Sequence, residues 1–562
     1  MHAMSRRVFF VLAIGLASAC AGGGPAARDP GAAITLALVN GVVWTGDAGR
    51  PSAEAVAMAG DRIVHVGTTA EVQAMAGAAR VVDARGGFVV PGFVDAHVHF
   101  VEGGFRLASV QLRDAATREE FVRRLAAFAA GAPKGTWITG GDWDHERWGG
   151  ELPAREWIDA VTPDHPVWVN RLDGHMALAN TAALRAAGID ERTAEVAGGE
   201  IVRAGAGRPT GVLKDNAMAL VDRVVPAPSP AMLDRAIDAA MSYVAAQGVT
   251  SVHHMGSWAD VEALGRTHEA GRLRTRVYAA VPLSDWARLR DRVASAGRGD
   301  AWLRIGLLKG FVDGSLGSKT ALFDEPYAGS RTERGLAVTP MTDLRAWIAG
   351  ADRAGLQVAV HAIGDRANRE LLDAYAETAR AHGPRDRRFR IEHAQHLSPA
   401  DIPRFASLGV IPSMQPYHAI DDGRWAERVI GGPRLQTTYA FRSLLDADAR
   451  LAFGSDWFVA PPTPLEGIYA AVTRRTLDEA HPGGWVPAQR IRVEEALRAY
   501  TAGGAWAGFR EGDTGVLAPG RLADVVVIDR DLRAVPPETI RQARIVTTVV
   551  GGRIVFEGPR QP

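Results

Sequence analysis

The 562-residue sequence lacks the features that several common classes of protein require. Its one cysteine is Cys20, so no intrachain disulfide can form and no other thiol nucleophile is present. It has no Gly-x-Ser-x-Gly segment, which excludes the nucleophile elbow of α/β-hydrolases. It also lacks an excess of either charge, because 64 Lys and Arg balance 64 Asp and Glu. We therefore expect no nucleic-acid partner.

The N-terminal apolar run is too short to span a bilayer as a mature helix. It covers residues 8 to 16, follows Arg6-Arg7 and precedes small residues that end at Cys20. This pattern is typical of an export signal, here residues 1–24. Cys20 at the cleavage point resembles a bacterial lipoprotein signal, which predicts a lipidated Cys20, a lipid anchor and a location in the periplasm or cell envelope. Simple cleavage and a retained anchor are the alternatives, because Ala17 stands where that pattern prefers Leu.

Length and composition predict two domains with a substantial core, since 47% of the residues are hydrophobic. Both chain ends, residues 30–90 and 510–562, contain short strand-like segments separated by turns. A sheet fragment at each end cannot bury its faces alone. We therefore expect the two ends to pair into one β-sandwich domain.

Residues 91–509 alternate apolar strand-like runs with amphipathic helices, which is the pattern of a βα-repeat. A segment of this length suffices for eight repeats together with an insertion at about residues 105–225. The sequence therefore predicts an α/β fold, a (β/α)8 TIM-like barrel with a β-sandwich domain built from both chain ends.

Polar side chains end several of the apolar runs, where a barrel carries its active-site face. They are His97, His99, Lys309, His361, His393 and Asp456. Residues two apart in a strand face the same side, so His97 and His99 can bind one metal ion. A Pro-Gly turn and an apolar strand precede this pair, which favours ligands over ordinary polar residues.

His361 and His393 end successive strands and would complete a nitrogen-rich set for zinc or a similar ion. A satisfied core histidine is the alternative for each, and His396 competes with His393 as the ligand. Asp456 can bind metal and accept a proton from water, the two tasks that a hydrolytic site requires of a carboxylate. Its alternative role is to cap a turn or helix.

Lys309 lies in an otherwise apolar strand, where an ammonium group is costly unless it is paired or modified. Carbamylation by CO₂ would convert it into an anionic ligand that bridges two metals. The unmodified alternative is a lysine paired with Asp313 or Asp456.

These segments together resemble the amidohydrolase 3 family in order and spacing over nearly all of the mature chain. The family includes N-substituted formamide deformylases, and it implies a metal-bearing barrel with a terminal β-sandwich. It also implies two divalent ions, with zinc expected. The implied roles are His97 and His99 on one metal, a carboxylated Lys309 as the bridge, His361 and His393 on the second metal, and Asp456 as a first-metal ligand and proton shuttle.

Four residues are candidates for substrate binding. His175 can act as a donor that polarises a substrate carbonyl, and a structural hydrogen bond is its alternative. Trp143 belongs to a Trp-rich segment that lines a pocket or forms a small core. His254 ends another barrel strand, and Asp313 follows Lys309 in the same segment.

The expected reaction is hydrolysis of a C–N bond in a small molecule: an amide, formamide, carbamate or cyclic amide. A mononuclear-metal deaminase is one alternative, but it would leave Lys309 without a bridging role. The other alternative is a non-catalytic cell-surface binding protein. Such a protein is expected to lack at least one metal ligand, but all six candidate ligands are present in this sequence. The oligomeric state stays open, with a homodimer among the options.

Overall fold

The computed structural model of the protein describes residues 33–559. The predicted export signal, residues 1–24, and the candidate lipidation site Cys20 lie outside the described residues. Within residues 33–559, no helix is both long and apolar enough to cross a membrane.

Eight parallel strands form one sheet in which every strand pairs with its neighbour along the chain. In chain order, the eight barrel strands are Phe93–Val98, Val249–Met255, Arg276–Pro282, Leu303–Phe311, Gln357–Ala362, Arg390–His393, Ile411–Met414 and Ala452–Phe453. The sheet closes where Val98 forms a parallel bridge with Trp457, just after the eighth strand. The predicted eight-stranded barrel is therefore confirmed.

Helices surround the barrel and cover the apolar faces of its strands. The barrel helices are Phe100–Arg106, Pro230–Ala246, Trp258–Glu269, Trp286–Ala296, Met341–Arg353, Asp365–His382, Ile402–Leu408, Pro416–Asp422, Ala426–Ile430, Phe441–Asp446, Pro464–Thr473, Val493–Arg498 and Gly504–Ala507. The helix Pro230–Ala246 begins where the Ser229 side chain accepts a hydrogen bond from the N–H of Met232, and Pro230 occupies its first turn. Parallel strands covered in this way are buried on both faces, which explains their continuous apolar sequences.

The two chain ends form two packed sheets. One has four strands, in spatial order Arg62–Gly67, Ala55–Ala59, Leu36–Val39 and Arg80–Asp83. The other has six, in spatial order Arg553–Glu557, Ile545–Val550, Val525–Ile528, Phe88–Pro91, Val42–Trp44 and Ser52–Ala53. Val525–Ile528 pairs antiparallel with Phe88–Pro91, which joins the C-terminal segment to the N-terminal one. Val56 and Met58 of the first sheet share a core with Val527 of the second.

The insertion between the first two barrel strands forms its own six-stranded sheet. In spatial order its strands are Gly199–Ala204, Arg208–Asp215, Met176–Ala179, Val167–Arg171, Ile138–Trp143 and Val110–Gln111. Its helices are Arg118–Gly131, Thr181–Ala187 and Ala219–Asp222. This sheet carries residues 170–175 to the mouth of the barrel, where they line the same cavity as His361 and Asp456.

Candidate metal centre

Three predicted ligands meet at the mouth of the barrel: His97, His393 and Asp456. Their donor atoms all lie within 4.8 Å of one another, and all three side chains are buried. His97 comes from the first barrel strand and His393 from the sixth, while Asp456 follows the eighth. Because parallel strands end at the same face of a barrel, residues far apart in sequence converge there.

His99 reaches the same centre from a different element than the sequence predicts. It lies one residue beyond the first strand, at the start of the helix Phe100–Arg106. Its Nε2 is 3.3 Å from Asp456 Oδ1, the same distance as His97 Nε2. Both imidazoles therefore face one carboxylate oxygen. Only His97 lies in the strand, so the alternation of side chains along a strand does not account for the position of His99.

Lys309 and His361 lie beside this group. The Lys309 Nζ atom is 3.4 Å from His97 Nε2, and burial lowers the pKa of Lys309 to about 8. Among the described residues, no ion pair joins Lys309 to Asp313 or Asp456. The His361 ring lies 4.5 Å from the His393 ring, and its Nε2 is 3.0 Å from the Gly314 carbonyl oxygen.

The donor set fits a divalent metal ion. Asp456 Oδ1 is buried and has no hydrogen-bond partner among the described residues. Burial opposes its ionisation, but the neighbouring His97, His99 and His393 outweigh burial and hold the pKa of Asp456 well below its usual range. Burial also lowers the pKa of His97, to about 4, and that of His393. Neutral imidazoles around an ionised carboxylate are the forms that bind zinc.

A buried network orients the imidazole of His97. Its Nδ1 is 2.6 Å from Glu392 Oε2, and Arg390 Nε donates to Glu392 Oε1 at 2.7 Å. Arg390 also contacts His253 Nδ1 at 2.8 Å and donates to the Ala96 carbonyl oxygen. A carboxylate on the outer nitrogen of a histidine fixes its tautomer and directs the other nitrogen toward the metal.

His393 is oriented in a comparable way. Its Nδ1 is 2.8 Å from Gln415 Oε1 and 3.9 Å from Asp456 Oδ2, so the amide of Gln415 holds the ring beside the ligand carboxylate. The backbone of His393 is left-handed, with φ of 76°, which ends the strand alternation that Arg390 and Glu392 follow. Non-glycine residues in this region are uncommon and cluster at functional sites.

A further buried carboxylate, Asp95, joins the first barrel strand to the segment that follows the eighth. Asp95 accepts hydrogen bonds from the Ser455 N–H at 2.9 Å and from the Ser455 hydroxyl. Burial raises the pKa of Asp95 to about 7. The N–H of Asp456 then donates to the His97 carbonyl oxygen at 2.7 Å, which fixes the backbone of both ligands.

His175 enters the site from the insertion. Its Nδ1 is 2.7 Å from Asp215 Oδ1, and its ring lies 4.9 Å from the His361 ring. Burial opposes protonation, but the hydrogen bond and charge of Asp215 outweigh it and raise the pKa of His175. Nδ1 is engaged, so Nε2 is the nitrogen available to a ligand.

The cavity above these residues has a volume of about 350 Å³ and charged walls. Arg171 Nη1 donates to Asp173 at 2.7 Å, and both side chains line the cavity. Asp422 accepts hydrogen bonds from Tyr439 Oη and Gln395 Nε2, while burial raises its pKa to about 7. The cavity therefore suits a polar ligand.

Two predicted substrate contacts need correction. Trp143 is fully buried, its Nε1 donates to the Val169 carbonyl oxygen at 2.9 Å, and it packs against Trp148. It belongs to a small core of the insertion. Asp313 is also fully buried and accepts three backbone hydrogen bonds, from Leu322, Ile363 and Gly364. It braces the loop beside His361 and has no surface for a substrate.

Two other histidines lie away from the ligand group. His254 is buried and its Nδ1 accepts from the Phe100 N–H at 3.0 Å, and it lines a second cavity rather than the charged one. His396 Nδ1 is 2.9 Å from Thr438 Oγ1. Of the two competing histidines, His393 is the one that contacts Asp456, with 3.9 Å between Nδ1 and Oδ2.

Several residues of the site carry no prediction from the sequence. Glu392 stands in the Arg-Ile-Glu-His segment, and the need of a ligand histidine for an outer carboxylate could have indicated it. Asp215 ends a strand of the insertion, far from His175 in sequence, and gives no such signal. His418 also lines the charged cavity; its ring is parallel to that of His393 at 6.4 Å.

Comparisons with known proteins agree with this geometry. A sequence profile of the amidohydrolase family matches residues 80–556. Protein LONG AFTER FAR-RED 3 of Arabidopsis thaliana is 39% identical over 93% of this chain and 91% of its own length. N-substituted formamide deformylase of Arthrobacter pascens is 30% identical over 93% of this chain and 98% of its own.

A crystal structure of an uncharacterized metal-dependent hydrolase from Pyrococcus horikoshii superposes with a TM-score of 0.73 at 28% identity, covering 89% of this chain and 99% of that one. The family profile, these relatives and the buried ligand group lead to one conclusion: the chain belongs to the amidohydrolase family and is a metal-dependent hydrolase.

Proposed function

We propose that the protein hydrolyses a C–N bond in a small-molecule amide, formamide, carbamate or cyclic amide. The observation that carries the proposal is the Asp456 carboxylate, whose Oδ1 accepts no hydrogen bond within residues 33–559 and faces two imidazoles at the edge of a polar cavity. The similarity to an N-substituted formamide deformylase supports the choice of a C–N bond over other hydrolysable bonds.

We also propose that two divalent ions, with zinc expected, bind here. His97, His99 and Asp456 would hold the first, His361 and His393 the second, and a carboxylated Lys309 would bridge them. Lys309 is buried beside His97 with no carboxylate in ion-pair contact among the described residues. Reaction of neutral Nζ with CO₂ forms an N–C bond and releases one proton, which converts the buried amine into an anionic ligand.

When bound, the divalent ions lower the pKa of water and polarise a carbonyl group. Asp456 accepts the proton of the attacking water and delivers it to the leaving nitrogen. His175 Nε2 donates a hydrogen bond to the carbonyl oxygen as negative charge develops there. Asp215 holds His175 in the tautomer and orientation for this task.

A mononuclear-metal deaminase is the second candidate. The compact ligand group favours it, because His97, His393 and Asp456 are the one set of His, Cys, Asp or Glu side chains within residues 33–559 whose three donor atoms lie within 4.8 Å of one another. Such an enzyme would release ammonia from a ring and would not depend on Lys309.

The experiment is to measure amine and ammonia release from N-formyl, N-acetyl, carbamate and cyclic amide compounds by zinc-loaded protein. We expect amine release that a chelator abolishes, and a loss of about 10²- to 10⁴-fold in kcat for Asp456→Asn. Asp291→Asn, on an exposed helix face, is the matched control and should retain full activity. Ammonia release from rings, with no amine from any amide, would favour the deaminase and overturn the proposal.

A further inference from the structure

A second cavity adjoins the metal centre on the opposite side from the charged one. It has a volume of about 640 Å³, within the range of pockets that hold drug-sized ligands. It lies above the ends of barrel strands one to four. The charged cavity lies toward strands four to eight and the insertion, so the fourth strand borders both cavities. Four side chains line both cavities: His99, Glu102, Lys309 and Phe311. The two cavities are therefore two chambers of one site, and they meet at Lys309.

The two chambers differ in chemistry. The first presents charged and hydrogen-bonding groups, among them Arg171, Asp173 and Asp422. The second is walled mainly by apolar side chains, namely Val101, Phe105, Leu233, Met255, Leu283 and Trp347. Its polar lining consists of the pair His254 and Asp260, with 3.4 Å between Nε2 and Oδ2, the shared residues His99, Glu102 and Lys309, and the hydroxyl residues Ser257, Ser284 and Thr339. An apolar chamber of this size beside a hydrolytic centre favours a substrate with an apolar portion.

The position of the proton donor orients the substrate between the chambers. Asp456 and His175 line the charged chamber and not the apolar one. A leaving nitrogen that receives its proton from Asp456 must lie on the charged side. The acyl group, on the other side of the scissile carbon, then points past Lys309 and Phe311 into the apolar chamber.

We infer that the apolar chamber is an acyl pocket, and that the substrates are amides of apolar carboxylic acids with a polar amine. The inference rests on the proposed C–N hydrolysis and adds the class of acid and amine. The Phe311 ring lies 4.8 Å from Lys309 Nζ and 5.3 Å from the His361 ring, so it forms the wall between the chambers.

The test is a series of amides of one polar amine with formyl, acetyl, butanoyl, hexanoyl and octanoyl groups. The zinc-loaded full chain should show kcat/KM rising about fourfold per added methylene, the effect of burying one CH₂ group. Binding of the free carboxylates, measured by calorimetry, should strengthen in the same order.

Two variants locate the effect in the apolar chamber. Ala259→Phe, in the first turn of the helix Trp258–Glu269, should lower the octanoyl-to-formyl ratio of kcat/KM by about 10- to 100-fold, because the added ring occupies the chamber. Trp347→Ala, which enlarges the chamber, should extend the rise in kcat/KM to acyl chains longer than those that the natural sequence accepts. Ala130→Phe, on an exposed position of the helix Arg118–Gly131, is the matched control and should change neither.

The outcomes separate this inference from the proposed function. Turnover that does not depend on acyl length, or a length dependence that both chamber variants leave unchanged, would overturn the acyl pocket and leave C–N hydrolysis in place. Absence of turnover on every amide would overturn the proposed function. In that case, carboxylate affinity that rises with length and falls in Ala259→Phe would still support the pocket, and affinity independent of length would overturn it.

Discussion

Glu392 sets which nitrogen His97 presents to the metal, since its carboxylate lies 2.6 Å from Nδ1 and is itself held by Arg390. We predict that Glu392→Gln weakens zinc affinity by about 10- to 100-fold, because an amide holds the imidazole tautomer less firmly than a carboxylate does. Competition with a chromophoric chelator would measure this affinity. Glu370→Gln, on the helix Asp365–His382, should leave it unchanged. Equal affinities in all three proteins would contradict the orienting role.

Asp215 has the corresponding role for His175. We predict that His175→Phe lowers kcat by about 10²- to 10³-fold, the effect of removing one donor to a developing oxyanion, and that Asp215→Asn causes a smaller loss of kcat. Zinc content should stay unchanged in both variants, since His175 contacts His361 but is not in the ligand group. Steady-state kinetics with metal analysis checks both points, and a change in KM alone would argue against transition-state stabilisation.

At this scale the structure brings three predicted ligands together, His97, His393 and Asp456, and buries two predicted substrate contacts, Trp143 and Asp313. A histidine or aspartate that ends an apolar strand has few roles other than the mouth of a barrel, as His361 and Asp456 illustrate. Asp313 follows the same pattern, yet its carboxylate accepts three backbone N–H groups of neighbouring loops. Only the path of those loops distinguishes the two cases, and local sequence does not encode it.

Among the elements, the contact of the third barrel strand with the β-sandwich rests on a buried ion pair. Arg276 Nε and Nη2 donate to the two Asp524 oxygens at 2.7 and 3.0 Å, and the N–H of Gly551 donates to Asp524 at 2.9 Å. We predict that Asp524→Ala lowers the free energy of unfolding by about 3–5 kcal/mol, because it leaves a buried guanidinium unpaired.

The urea midpoint of Asp524→Ala measures this loss. Asp291→Ala removes the exposed Arg290–Asp291 pair and should leave the midpoint unchanged, because solvent already screens that pair. Equal midpoints for the two variants would show that the pair does not hold the sandwich to the barrel.

The predicted segments contain the expected kinds of element. Residues 30–90 and 510–562 hold strands such as Leu36–Val39 and Val525–Ile528, and the insertion predicted at about residues 105–225 lies between the barrel strands Phe93–Val98 and Val249–Met255. The helix Thr69–Ala76 was not predicted, because it is short and lies among strands; its Thr68 and Glu71 capping box was the available signal. The insertion sheet was likewise not predicted, since its strands pair across long connections.

For the whole molecule, the pairing of the two chain ends was predicted from burial alone, since neither β-segment could cover its own faces. The two-chambered site was not predicted, because its walls come from helices and loops that sequence leaves unplaced relative to one another. Export and lipidation of Cys20 stay predictions from the sequence.

The central claim is that Lys309 bridges two metal ions, and metal content per chain tests it most directly. Plasma mass spectrometry of the purified protein, prepared with bicarbonate and zinc, should give about two ions for the natural sequence and one or fewer for Lys309→Ala. One ion in both proteins would contradict the bridge, reduce Lys309 to a structural residue and favour the mononuclear deaminase.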